Sequence, residues 1–166
     1  ITSTLAIVKA ELKRLNIEIE INAAAEYYFD EELTKRVREK DILMVKDGIY
    51  LIGTCALVTR FDTKIVYQSH LYKIRVLDEA VISPYVLLAA LSSKPVLKQI
   101  QSKRFTQDII DSLGNRVTEL VLPIPKDNSH VEYVHKIVKK SIEERVESRE
   151  LARHAKIALI DLGIRQ

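Results

Sequence analysis

The chain is poor in the residues that several kinds of chemistry depend on. It has one cysteine, Cys55, so no disulfide can close within its 166 residues, and a reducing, cytoplasmic setting is the expectation. Its four glycines stand at positions 48, 53, 114 and 163, and no GxGxxG or P-loop string occurs. Too few such positions remain for a loop that wraps a phosphate in backbone N–H groups, so no nucleotide cofactor is expected. The four histidines, His70, His130, His135 and His154, show no HExxH pattern, and the step of five from His130 to His135 aligns poorly on one helix face. No metal site is expected. There is no GxSxG elbow, and Cys55, inside an apolar run, reads as core rather than nucleophile. "FDTK", Phe61 to Lys64, has the acid and lysine of a nuclease site, yet a polar turn between strands explains it better. No apolar stretch approaches the ~20 residues that span a bilayer, and the N-terminus lacks the order of a signal peptide. The chain opens on Ile1 without an initiator methionine, which reads as a piece of something longer.

What is present suits one domain with an appendage. At this length roughly 70% of the unfolded surface can be buried, so the core needs no staples. A net charge of +3 is too weak to announce a polyanion partner, but its distribution is uneven. Between Lys46 and Gln107 nine lysines or arginines face four acids, whereas residues 1–45 carry seven basic and nine acidic side chains.

Hydrophobic periodicity orders the elements. Ser3 or Thr4 caps an expected helix to about Leu15, with Leu5, Val8, Leu12 and Leu15 on one face. "IEIEI", Ile17 to Ile21, alternates as a half-buried strand does. Residues 23–41 are polar and read as a loop with a turn of helix. "DILMVKDGIYLIGTCALV", Asp41 to Val58, predicts a hairpin turning at Asp47-Gly48, its two arms buried on both faces. "KIVYQSHLYKIRVLD" predicts one or two further strands. Ser83 with Pro84 starts a helix to about Ser92, and Pro95 a second to about Gln101. "KRFTQDII" reads as a polar connection and "RVTELVLPIP" as a strand halted by Pro123 and Pro125. From Asn128 an apolar stripe through Val131, Val134, Ile137 or Val138, Ile142 and Val146, then Leu151, Ala155, Ala158 and Leu162, predicts about 30 residues of amphipathic helix. Such a helix is ~45 Å long, more than this domain can cover, so part of it should seek a partner or fold back near Ser148. The expected architecture is α+β: a small mixed, strongly twisted sheet with short helices over residues 1–127, then a long helix over 128–166.

The order "DILMVKDG", "YQSHLYKIRV", "ISPYVLLAALSS" with "VLKQIQ", "FTQDIIDSL" and "LVLPIP" before a long helix resembles the target recognition domain of type I restriction-modification specificity subunits. The likeness covers Asp41 to the C-terminal helix, about three quarters of the chain. Similar domains end fused type IIG proteins and some adenine-N6 DNA methylases. The resemblance implies a non-catalytic module that reads half of a split target in double-stranded DNA, and a helix that acts as a spacer and docks a methyltransferase. Thr106 and Gln107 stand where the family has a Gly-Ser/Thr-Thr-Gln string, here without its glycine. Pro123 and Pro125 match its Pro-x-Pro step, but Lys126, Asp127 and Asn128 replace the third proline and the Glu-Gln that follow. One recognition domain is present where the usual subunit has two, so a half-subunit or a fused protein's tail fits better.

Under this resemblance Lys46 contacts phosphate, Asp47 accepts from a cytosine amino group or merely makes the turn, and Tyr50 stacks or bonds to the backbone. Gln68 and His70 flank a strand and face either the groove or solvent. Ser102, Lys103, Arg104, Thr106 and Gln107 form the densest polar and basic cluster, with Gln107 suited to pair with an adenine edge and Lys103 to a phosphate. Thr106 and Gln107 serve equally as caps of a following helix. Val134, Val138, Ile142 and Val146 are expected to meet a methyltransferase, a second copy of the chain or a restriction subunit. The competing reading is a protein-interaction adaptor that dimerises through its helix and binds acidic partners on a basic face.

Overall fold

The computed structural model describes residues 7–21, 37–65, 67, 69–107 and 110–161. The class is α+β, as expected, but the strands form three small sheets rather than one, and every pairing is antiparallel among the described residues. Strand β1 (Ile7–Glu11) pairs with β9 (Val121–Pro125). A four-stranded sheet runs β2 (Ile17–Glu20), β6 (Leu71–Val76), β3 (Ile42–Val45), β5 (Cys55–Leu57). The third sheet runs β4 (Asp47–Gly48), β8 (Ile110–Ser112), β7 (Phe105–Gln107). Three helices complete it: α1 (Pro84–Leu91), α2 (Lys94–Lys103) and α3 (Asn128–Asp161).

The expected first helix is a strand instead. Ile7 to Glu11 lies in register with Pro125 to Val121, and only Leu12–Arg14 makes a single 3-10 turn. The apolar spacing that suggested a helix is satisfied by pairing, with Leu12 fully buried. Its expected caps, Ser3 and Thr4, lie outside the described residues, as do residues 23–36 of the expected loop.

Around α1 the local signals hold. Ser83 has an extended backbone and its hydroxyl accepts the Tyr85 N–H at 3.2 Å, while Pro84 takes the first helical position. Both faces of the central strands are covered. Ile42, Met44, Tyr72 and Ile74 point into the main core with α1, whereas Leu43 joins Val37 and Val58 on the opposite side. On that side the basic residues of β6, Lys73 buried and Arg75 mostly covered, are paired with acids. Arg75 meets Asp41 through two bonds of 2.7 Å, and Asp41 also accepts the Arg38 N–H at 2.7 Å. Lys73 meets Glu20. A buried cation without such partners would be strongly destabilising.

Helix α3 continues unbroken past Ser148, 34 residues or ~51 Å in all. Its first half belongs to the domain: Val131, Val134, Val138 and Ile142 pack on the main core, and His135 shares a 2.7 Å hydrogen bond with Ser83. The last tether is Arg149, whose guanidinium donates to Asp62 at 2.9 Å. From Leu151 to Ile160 every side chain is exposed. Among the described residues no helix is long and apolar enough to cross a membrane.

Candidate nucleic-acid interface

The Asp47-Gly48 dipeptide is not the hairpin's turn. It is a strand whose residues oppose Ser112 and Asp111, and the chain from Ile49 to Thr54 forms a longer tip before β5. Hydrogen bonds pin the tip at its base: Gly53 N–H to the Val45 carbonyl and Val45 N–H to the Thr54 carbonyl, both 2.9 Å. Gly53 sits at φ +86°, and a Cβ there would lie 2.6 Å from Cδ1 of Ile100 on α2. The positive φ favours glycine, and any larger residue would also have to displace the Ile100 side chain. The expected burial of the second arm fails at this point, because Ile49, Tyr50 and Leu51 all face solvent.

Pairing of β4 with β8 joins two polar groups of residues that are far apart in sequence. Lys46 is held between them: its N–H donates to the His70 carbonyl at 2.9 Å and its carbonyl accepts from Leu113 at 3.1 Å. Its ammonium donates to the Ile21 carbonyl at 3.1 Å. Asp47 lies 2.6 Å from Nδ1 of His70, with the carboxylate mostly covered and the imidazole largely exposed. On β7, Thr106 is opposite Asp111 and its hydroxyl donates to that carboxylate at 2.8 Å. Arg104 approaches the same carboxylate at 3.4 Å, and Lys103 meets Glu119 at 2.6 Å. "KRFTQDII" is therefore largely a hairpin and not a plain connection, and among the described residues the element next after Thr106 and Gln107 is the strand β8. Ser102 lies on α2 and donates back to the Gln99 carbonyl at 2.9 Å. Gln107 closes β7, while Gln68 lies outside the described residues.

Three further residues complete the cluster. Arg116 stacks over Phe105, 4.9 Å from the ring centroid, and donates to the Lys103 carbonyl at 2.9 Å. Asp111 and Glu119 hold the two neighbouring cations. Nothing local in the sequence marks these three, since their partners come from another strand or from α2. Beneath the sheet, the Tyr72 hydroxyl donates to the Gly114 carbonyl at 2.6 Å. Burial first, and then the Asp47 charge, raise its pKa, which keeps it a neutral donor.

This surface combines cations, Lys103 and Arg104 resting on acids and Arg116 on the Phe105 ring, with short hydroxyls. Exposed pairs of this kind are worth about 0–1 kcal/mol, so an incoming phosphate can take over the cation at little cost. Among the described residues no three His, Cys, Asp or Glu side chains gather as a metal would need. Burial pushes the Cys55 thiol up to about 12, and it rests on the Gly53 carbonyl at 3.3 Å. The stripe expected to meet a partner is partly spent within the chain: Val134, Val138 and Ile142 pack on its own core, and Val146 lines a cleft beside β5.

No protein-family model matches the chain, and no curated protein does. Among solved structures it is similar to the S subunit of a type I restriction-modification system from M. genitalium, with a TM-score of 0.66 and 15% identity. That likeness is one of fold. It extends over 97% of this chain and 45% of the other, so the chain spans less than half the length of that subunit.

Proposed function

We propose that the chain is a sequence-specific DNA recognition module of a restriction-modification system, non-catalytic by itself, that directs an adenine-N6 methyltransferase to its target. In this reading residues 1–127 read the duplex and residues 128–166 form the spacer helix. The observation that carries it is the β4-β8-β7 sheet, which brings the segment of Lys46 and Asp47, with His70, alongside the segment of Lys103, Arg104 and Thr106. The similarity in fold to an S subunit supports it. Packed strands also suit the task, because reading groups on rigid elements are better aimed than groups on free loops.

Lys103, Arg104 and Arg116 meet phosphates, and Gln107 reads a base edge. Tyr50 and His70 flank them, and Lys46 and Asp47 order the sheet from behind. The methyltransferase docks on the outer part of α3, where Leu151, Ile157 and Ile160 are exposed, instead of on the inner stripe. Fluorescence anisotropy on duplex DNA across a salt series tests the reading. Three or four phosphate contacts give a slope of log K against log salt of about −3 to −4. Lys103→Ala flattens that slope by about one on every sequence, whereas Gln107→Ala costs about 1–3 kcal/mol on the target and little elsewhere. A flat salt response of the unaltered chain refutes DNA binding and favours the adaptor.

A further inference from the structure

Ile49, Tyr50 and Leu51 are three consecutive large apolar side chains that remain 61%, 92% and 64% exposed. Single exposed apolar residues need no explanation, but a contiguous run on a pinned tip does. The tip is not loose chain. Its C-terminal end is hydrogen-bonded to Val45 of β3 through Gly53 and Thr54, its N-terminal end leaves β4 where Gly48 pairs with Asp111, Thr54 N–H closes back on the Leu51 carbonyl at 2.9 Å, and Ile52 turns inward against the core. Gly48, at φ +131° with no atom within 4 Å of a would-be Cβ, is there for the backbone direction it permits. It launches the tip beside Asp111, the residue that holds Arg104 and Thr106.

A rigid apolar point therefore projects from the edge of a sheet that is flanked by the exposed cations Arg104 and Arg116. That pairing of chemistries fits a duplex, in which phosphates meet the cations and the apolar point reaches the base stack. We infer that Tyr50, flanked by Ile49 and Leu51, is a wedge that enters a base step and unstacks it, so that part of the chain's selectivity comes from how easily that step opens. This rests on the DNA reading above. Apolar side chains inserted between base pairs kink duplexes in this way, and flexible pyrimidine–purine steps yield most readily.

The test uses the full chain and a duplex selected by it from a random pool. A single mismatch is then walked along that duplex, since a step already unstacked no longer has to be opened. The unaltered chain is expected to bind roughly tenfold tighter when the mismatch lies at one particular step. Tyr50→Ala should lose on the order of tenfold or more on the intact duplex and lose the preference for the mismatched one, while Tyr50→Phe keeps both. The salt slope should not change, because no phosphate contact is removed. All three side chains are exposed, so the variants fold, and circular dichroism verifies it. Unchanged affinity for Tyr50→Ala and no favoured mismatch position, with the steep salt slope intact, overturns the wedge and leaves the DNA reading standing. Loss of methyltransferase capture by Tyr50→Ala with DNA affinity untouched assigns the tip to a protein and also overturns it. A flat salt response of the unaltered chain removes both.

Discussion

Asp111→Asn should tighten the binding of duplex DNA of any sequence. In the free protein Arg104 Nε lies 3.4 Å from Asp111, with the two side chains 43% and 27% exposed. An exposed pair of this kind is worth ~0.2–1 kcal/mol, which a phosphate must repay before it can take the guanidinium. A phosphate seated on Arg104 would lie some 7 Å from the carboxylate, and the repulsion at that distance is about 0.6 kcal/mol in water. Removing the charge returns both contributions, about 1–1.5 kcal/mol, or roughly 5- to 10-fold in affinity at low salt. Asparagine keeps an oxygen to accept the Thr106 hydroxyl, now at 2.8 Å, so the melting temperature should fall by no more than ~2–4 °C. The assay is anisotropy on a random duplex at about 50 mM salt, where screening is modest, repeated at higher salt to follow the expected loss of the gain. Unchanged or weaker binding by a folded Asp111→Asn protein would mean that this sheet does not face phosphate. A loss confined to one sequence would make Asp111 an acceptor from a cytosine amino group and defeat the role given to it here.

Asp41→Asn should be far more damaging to stability, because it leaves Arg75 buried without its counter-charge; ~3–5 kcal/mol is expected, or a drop of about 6–20 °C in a thermal melt. A change within 2 °C would show that the pair is dispensable. Cys55, with its thiol at about 12, should be ionised in about one molecule in ten thousand at pH 8, so Ellman's reagent should label it at least a hundredfold more slowly than the unfolded chain. Labelling at the rate of free cysteine would contradict its burial. Asp62 is partly buried, which works against its charge, yet hydrogen bonds from Thr59 and Arg149 hold its carboxyl below the usual carboxylate range. A depressed folded value gives stability that is present above the unfolded value of about 4 and lost as pH falls through the folded one. Amide protection factors around Arg149, corrected for the intrinsic pH dependence of exchange, should therefore be higher at pH 6 and fall below pH 4, and an Asp62→Asn protein should show no such step.

Elements whose cause is local were legible in the sequence. Ser83-Pro84 announces α1, the alternation of Ile17 to Glu20 announces β2, and the stripe from Val131 announces α3, because each depends on neighbours within a few residues. The failures share the opposite cause. Ile7 to Glu11 has the apolar spacing of a helix but meets β9, more than a hundred residues later, and pairing overrides spacing. Asp47-Gly48 has the chemistry of a tight turn, yet β8 supplies it with strand partners that no local rule foresees. For the same reason the two polar clusters were visible separately and their union was not. Asp111, Arg116 and Glu119 look like ordinary surface charges until the fold sets them against Arg104, Phe105 and Lys103.

The pairing of β1 with β9 sets the points at which the module could be exchanged. Ile7 stands opposite Pro125, so the incoming chain and the chain leading into α3 pass side by side, about 5 Å apart at the Cα atoms. Everything between these two points, the three-stranded sheet and its tip included, enters and leaves through one pair of adjacent strands, and α3 packs back on it through Val131, Val134, Val138 and Ile142. Such a segment can be replaced by another that presents the same strand pair and the same apolar seat for Val131 to Ile142, with little change in the path of the helix. New contacts could then be acquired wholesale by grafting at two neighbouring positions. A single substitution within the cluster, by contrast, must negotiate with the acids that already hold Lys103 and Arg104.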